Sequence, residues 1–303
     1  MSKQTKMEEK LWFYIFLAPA LIAFTLVIVI PFLIGIYYSF TDWPQITSTN
    51  VSWVGLANYT AIFRDVTFLN AFIITTLFAI LNIIAVNVVA FGFALIVTAK
   101  LKLTNMYRIG FFLPNLIGGI ILGYIWQFIF NNAVPKFGML SGITWLAENP
   151  LLADRWFALI AIVTVATWQA AGYIMMIYVA SIQSTPPSLM EAAEIDGATY
   201  TQRLRYILMP LMAPSFTVSL FLTLVNSFKQ FDVNFALTAG GPSGMFRGQA
   251  IMTNEFLALN IYNTAFSFRE LAQGQAKAVV FFVVITIISV GQVWYNKKKE
   301  IEM

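Results

Sequence analysis

At 303 residues the chain could form one large or two ordinary soluble domains, but 59% of it is hydrophobic and only 11% charged, where soluble domains carry about 25% charge; a globule so poor in charge would aggregate, so the chain reads as an integral membrane protein. It has no Cys and no His, which removes disulfides, a thiolate nucleophile and the commonest metal ligand. The net charge of +4 is small and scattered, too weak for nucleic-acid binding, and no G-x-x-x-x-G-K-[ST] loop is present to cradle ATP.

Six uncharged stretches are long enough to cross a bilayer, which takes about 20 residues. They are Leu11–Phe40, Val66–Ala99, Ile109–Pro135, Trp156–Met190, Tyr206–Phe228 and Ala278–Asn296. They predict spans near 12–38, 70–98, 108–130, 156–182, 207–229 and 273–295 within a single transmembrane domain, 1–303. The first follows Lys3, Lys6 and Lys10 but, at 30 residues, exceeds a signal-peptide core. It reads as an uncleaved helix. Orientation follows the distribution of Lys and Arg. With both termini inside, 11 cations fall on inner segments: Lys3, Lys6, Lys10, Lys100, Lys102, Arg108, Arg203, Arg205 and Lys297 to Lys299. Only 6 fall outside: Arg64, Lys136, Arg155, Lys229, Arg247 and Arg269. The outer segments 41–65, 131–155 and 230–272 are long and carry turn-formers such as Asp42-Trp43-Pro44, Glu148-Asn149-Pro150 and Gly240-Gly241-Pro242.

The one sizeable inner loop, 183–206, reads as two short helices. Pro186 and Pro187 suit a first turn. Ser188 with Glu191, and Thr199 with Gln202, have capping-box spacing. Gly197 suits a left-handed helix end, and Pro210 and Pro214 kink the entry to the fifth span. The compact pair, with Leu189, Ala192, Ala193 and Ile195 apolar, is shaped to dock in a partner's groove. The alternative is that Glu191 only caps its helix and the charges are solvated.

Glu191-Ala192-Ala193, Gly197 after three residues, then Ile207 and Pro210 resemble the EAA motif of permease subunits in binding-protein-dependent, ATP-driven importers. The departure is Met209, where the family usually has Leu. LAPAL at 17–21, PFLIGIYYSFTDW at 31–43, VGLANY at 54–59, FDVNFALTAGGP at 231–242 and IYNTAF at 261–266 resemble the carbohydrate-uptake branch, most closely its first permease. The resemblance implies an all-α, six-helix bacterial or archaeal cell-membrane subunit with cytoplasmic termini. It implies coupling to the ATPase through Glu191, Ala192, Ala193, Gly197, Ile207 and Pro210. Its partners would be a second permease, two ATP-binding subunits that hold ATP and Mg, an external solute-binding protein and membrane lipid. This chain itself would bind no cofactor and perform no covalent chemistry.

Polar residues inside spans line pathways or bond to other helices. Asn82, Asn87 and Gln127 are such positions, and Trp126 and Trp168 offer flat apolar faces against which a sugar ring could stack. Trp168, Gln169 and Tyr173 on the fourth span, with Asn226 and Gln230 on the fifth, are the expected path. Asp232, Gly240, Gly241 and Pro242 are expected at the outer mouth. Lys277, where the family has a small residue, either snorkels to the headgroups or contacts an anion on the solute or partner permease. The expected cargo is a sugar or oligosaccharide; an anionic solute such as glycerol phosphate is the alternative. An ion-coupled secondary transporter is a further alternative, disfavoured by the lack of firm intramembrane acids, and a membrane enzyme is third.

Overall fold

The computed structural model describes residues 3–43, 50–99 and 102–298. Pro44, Lys100 and Lys299 lie outside them. Four helical stretches are long and apolar enough to cross a membrane: Trp12–Ser39, Val66–Thr98, Arg155–Ser184 and Leu271–Lys297. Two bent pairs, Thr104–Leu116 with Gly119–Ser141 and Tyr200–Leu211 with Ala213–Phe228, bring the number to six if each pair is one span. The chain divides into two compact units, one of residues 1–64 and 261–282, the other of 65–260 and 283–303.

In the smaller unit, α1 (Lys3–Phe24) passes through a π-helical turn, Thr25–Val29, into α2 (Ile30–Ser39). The orphan carbonyls at the end of α2 are satisfied from α3 (Ala57–Ile62). Asn58 donates to the Ser39 carbonyl at 2.9 Å and the Thr41 carbonyl at 2.8 Å, and the Tyr59 hydroxyl pairs with that of Ser39 at 2.6 Å. Gly35 of α2 lies so near the Gln275 amide that a Cβ would approach it to 2.7 Å. The Lys277 side chain is 2% exposed and donates to the Thr264 hydroxyl at 2.8 Å. Snorkelling is therefore corrected, because this turn faces Thr264. The same burial keeps the ammonium from the surface on which an anion would be met.

In the larger unit, α4 (Val66–Thr98) and α9 (Arg155–Ser184) form the central pair. Each begins at an Asp cap: Asp65 accepts from the Thr67 and Phe68 amides, Asp154 from those of Trp156 and Phe157. Ala71, Ala79, Ala90 and Ala94 of α4 and Ala158, Ala161, Ala166 and Ala171 of α9 are buried. Small side chains permit the close backbone approach that packs helices in lipid. One core cluster gathers Ile74, Phe78, Leu159, Ile162, Val233 and Phe256; another gathers Val86, Ile174, Met175, Tyr178, Leu208 and Met212.

The third span is not the continuous helix expected over 108–130. α5 (Thr104–Phe112) tightens into a 3-10 turn, Leu113–Leu116, breaks at Ile117-Gly118, and resumes as α6 (Gly119–Phe128) after a bend of 96°. Pro114 lacks the amide that would continue the helix, and the extended Ile117 turns the chain. Gln169 donates to the Ile117 carbonyl at 3.0 Å, satisfying the break from inside the protein. Gly172 lies against the backbone of Phe111 and Phe112, where a Cβ would overlap the Phe111 carbonyl.

A π-helical turn, Ile129–Ala133, leads to α7 (Val134–Ser141), and α8 (Thr144–Glu148) follows. The outer segment 131–155 is thus mostly helical. Beyond the fourth span come α10 (Pro187–Ile195), α11 (Tyr200–Arg203), the π-helical turn Leu204–Leu208 and α12 (Met209–Leu211). At Met212 the chain bends by 70° into α13 (Ala213–Phe228), between the two prolines expected to kink it.

The outer segment 230–272 is also built, not slack. It holds α14 (Asp232–Thr238), a hairpin of β1 (Ser243–Phe246) and β2 (Gln249–Met252), and α15 (Leu257–Tyr262). Arg247 and Gly248 at the tip both have positive φ, as a tight hairpin turn of primed type requires. A π-helical turn, Asn263–Ser267, precedes α16 (Leu271–Lys297), the sixth span.

Gly172→Val is expected to push α9 from the Phe111–Phe112 backbone, at a cost of about 1–3 kcal/mol for overpacking. The check is a lowered thermal unfolding midpoint of the purified assembly, with Gly172→Ala intermediate.

Candidate functional site

The break in the third span opens a polar cavity of about 300 Å3. Its wall takes Asn82 from α4, Asn115 from the turn before the break, and Ala166, Gln169 and Ala170 from α9. The end of α13 and the start of α14 supply Asn226, Lys229, Gln230, Phe231 and Asp232. Five of these side chains are carboxamides, each able to donate and accept at once. Lys229 and Asp232 contribute one formal charge of each sign. The Phe231 ring, stacked on Phe235 at 5.5 Å, presents an apolar flank.

The structure therefore gathers Gln169, Asn226 and Gln230 from the expected path and adds Asp232 from the expected mouth. It does not gather the whole set. Trp168 points elsewhere, edge-on to Trp126 at 5.6 Å, and neither Trp168 nor Tyr173 lines the cavity. At about 100° per residue, Ala166 and Ala170 lie on one flank of Gln169 and Trp168 on the other, away from the cavity. Gln127 donates to the Leu237 carbonyl at 3.0 Å, an interhelical bond. Asn115 and Lys229 were missed; Asn115 follows Pro114 in an otherwise apolar run, so the helix-break signal also marked it.

Gly240 and Gly241 are buried, with Gly240 at φ +84°. They fold the chain back so that Asn254 donates to the Gly240 carbonyl and Thr253 to the Pro242 carbonyl, both at 2.9 Å. Asn234 receives the Phe256 amide at 3.1 Å and donates to the Asn254 carbonyl at 2.8 Å. The Gly-Gly-Pro turn thus anchors α14, while Asp232 alone of this group opens on the cavity.

The inner loop ends α10 in a Schellman arrangement. The Ala198 amide bonds the Ala193 carbonyl at 2.9 Å, and the Gly197 amide bonds the Glu194 carbonyl at 3.1 Å. Gly197 has φ +79°, a conformation open mainly to glycine. The fixed spacing from Glu191-Ala192-Ala193 to Gly197 is the spacing of this turn. The Thr199–Gln202 capping box forms. The Ser188–Glu191 box does not: Pro186 is the N-cap, so Ser188 already lies within the helix. Glu191 is exposed and, among the described residues, makes no hydrogen bond or ion pair, so capping does not occupy it. Ala192 is exposed and Ala193 buried, while Ile207 and Pro210 are half-buried. Arg203 and Glu194, 2.5 Å apart, tie α11 to α10.

A buried polar ladder runs from the cavity wall along α13. Asn82, on the cavity wall, donates to Ser227 at 2.9 Å and receives Thr167 at 3.5 Å. Ser227 donates to the Thr223 carbonyl and Thr223 to the Ser219 carbonyl, both at 2.6 Å. Asn87 donates to Thr223 at 3.4 Å, and the Tyr178 hydroxyl donates to Asn87 at 2.5 Å and pairs with Ser219 at 2.6 Å. Helices α4, α9 and α13 are thereby joined toward the bend that follows the loop.

Comparison with known proteins agrees with this architecture. A family model described as the binding-protein-dependent transport system inner membrane component matches residues 102–300. The chain is 45% identical, over the full length of both, to the probable starch degradation products transport system permease protein AmyD of Thermoanaerobacterium thermosulfurigenes. It is 31% identical to the multiple sugar-binding transport system permease protein MsmF of Streptococcus mutans, covering 98% of this chain and 99% of that one. It is 30% identical to the sn-glycerol-3-phosphate transport system permease protein UgpA of Agrobacterium fabrum over 82% of each. Among solved structures, a chain of a bacterial ABC transporter that imports the acidic polysaccharide alginate superposes with a TM-score of 0.80 at 19% identity, covering 97% of this chain and 98% of that one. The chain belongs to the binding-protein-dependent transport system inner membrane components and is a permease subunit of an ABC importer.

Gly197→Val places a branched side chain in the left-handed region, at a cost of about 1–2 kcal/mol, or roughly a tenfold loss of the closed loop. ATP-driven uptake in vesicles is expected to fall accordingly, while Gly197→Asn, which tolerates that region, retains most of it.

Proposed function

We propose that this permease passes a neutral sugar or oligosaccharide, delivered by an external solute-binding protein, through the cavity at the broken third span. The carboxamide set of that cavity carries the reading. Asn82, Asn115, Gln169, Asn226 and Gln230 offer paired donors and acceptors, the complement of a hydroxyl-bearing ring, and Phe231 offers it an apolar flank. The opposed charges of Lys229 and Asp232 leave no net cation to favour an anion. The names of AmyD and MsmF support a saccharide cargo; that of UgpA is the reason to test an anionic one.

Transport is driven from outside this chain. A second, related permease completes the path, and two cytoplasmic subunits bind ATP with Mg. The Lys and Arg distribution puts the inner loop and both termini in the cytoplasm. When the ATP-binding subunits close, they move α10, whose exposed Glu191 and Ala192 form the docking face. Glu194–Arg203 and the capped start of α11 carry the displacement to α12. The bend at Met212 converts it into motion of α13, and the polar ladder passes it to Asn82. The cavity then changes its opening from one side to the other.

In vesicles holding the complete importer, Asn226→Leu is expected to raise the KM for the solute about fivefold, the equivalent of roughly 1 kcal/mol for one lost hydrogen bond, with basal ATP hydrolysis unchanged. Excess glycerol phosphate is expected not to compete with a maltodextrin substrate. Uptake without ATP or without the partner subunits would overturn the reading.

A further inference from the structure

A second hollow, of about 610 Å3, lies apart from the polar cavity. It falls within the roughly 300–1,000 Å3 of sites that hold an organic ligand. The 70° bend at Met212 creates it by splaying α12 from α13. Leu204, Met209, Ala213, Phe216 and Leu220 make its wall apolar, and Arg205 and Asn296 stand at its loop-side end. No acid lines it.

Arg205 is exposed. Among the described residues its only partner is the Tyr206 ring, 5.8 Å from the guanidinium carbon. Lys297 and Lys298 directly follow Asn296. The groove thus joins an apolar trough to a bidentate-capable cation that, among the described residues, no acid pairs with. A neutral protein helix would satisfy the trough but leave the guanidinium unmatched. A phosphodiester with an acyl chain satisfies both, because guanidinium binds phosphate oxygens in a fork and the chain buries against the wall.

We propose that this groove binds one anionic phospholipid of the leaflet that faces the coupling loop, its phosphate on Arg205 and Asn296 and an acyl chain along α13 to Leu220. The assignment of that leaflet to the cytoplasmic side rests on the orientation proposed above; the site itself does not. Juxtamembrane cations are a known attraction for acidic lipids.

The test uses the complete importer in phosphatidylcholine nanodiscs doped with phosphatidylglycerol or phosphatidylcholine carrying a photoactivatable acyl chain, with cross-links mapped by mass spectrometry. The glycerol lipid is expected to label the 201–220 segment at least fivefold more than the choline lipid. Arg205→Ala is expected to bring that ratio near one. Thr217→Trp, which fills the trough, is expected to abolish labelling by both. Equal labelling by the two probes in the unmodified protein, or a ratio unchanged in Arg205→Ala, would reduce the groove to ordinary boundary lipid and overturn the proposal. So would a groove that takes no label because the second permease covers it. ATP-driven uptake by the same preparation is read separately: its absence speaks against the transport reading, and a missing headgroup preference speaks against this one.

Discussion

A helix that breaks inside a membrane exposes backbone carbonyls and amides where no water can reach them, and the protein has to satisfy them itself. The break at Ile117-Gly118 meets this demand through Gln169, which reaches across from α9 to the Ile117 carbonyl. Much else depends on that one hydrogen bond. It fixes α9 against the turn that carries Asn115, with Gly172 leaving room for the Phe111–Phe112 backbone. It also fills the corner where two helical segments diverge by 96°, so the space left over is polar and bounded, not lipid-filled. The cavity is in this sense a by-product of backbone satisfaction.

The second bend, at Met212, stands between two prolines and divides a lever from a wall. On one side lie the short helices of the 183–206 loop, tied by a Schellman turn, a capping box and the Glu194–Arg203 pair. Beyond it lies α13, whose Ser219, Thr223 and Ser227 recur every four residues and so share one face. That face meets Asn82, Asn87 and Tyr178. Small movements of the loop therefore meet a body bonded as a unit.

Much of this was legible in the sequence because its signals are local. The six spans follow from charge-free length, the second bend from Pro210 and Pro214, and the end of α10 from Gly197. Two of the misreadings share one physical origin. In lipid the outside of a bundle is as apolar as its core, so hydrophobic periodicity does not say which way a side chain faces. Trp168 was grouped with Gln169 although it lies on the other flank of α9, edge-on to Trp126. Lys277 was placed at the headgroups although its turn looks toward Thr264. The Ser188–Glu191 box failed for another reason: with Pro187 beginning the helix, Pro186 takes the cap and Ser188 falls inside. The hairpin at 243–252 was hidden by its shortness, although Arg247-Gly248 carried a turn signal.

The ladder from Asn82 to Tyr178 has an electrical consequence. A row of hydroxyls through half a bilayer resembles a wire for protons, and a leaky wire would discharge the membrane potential at every subunit. Here the row is interrupted. Asn82 and Asn87 are carboxamides, which neither take up nor release a proton at physiological pH, and each hydroxyl of Thr223 and Ser227 is spent on its own helix carbonyl. With no histidine anywhere in the chain and no acid in the row, the helices adhere there through groups that carry no charge at physiological pH.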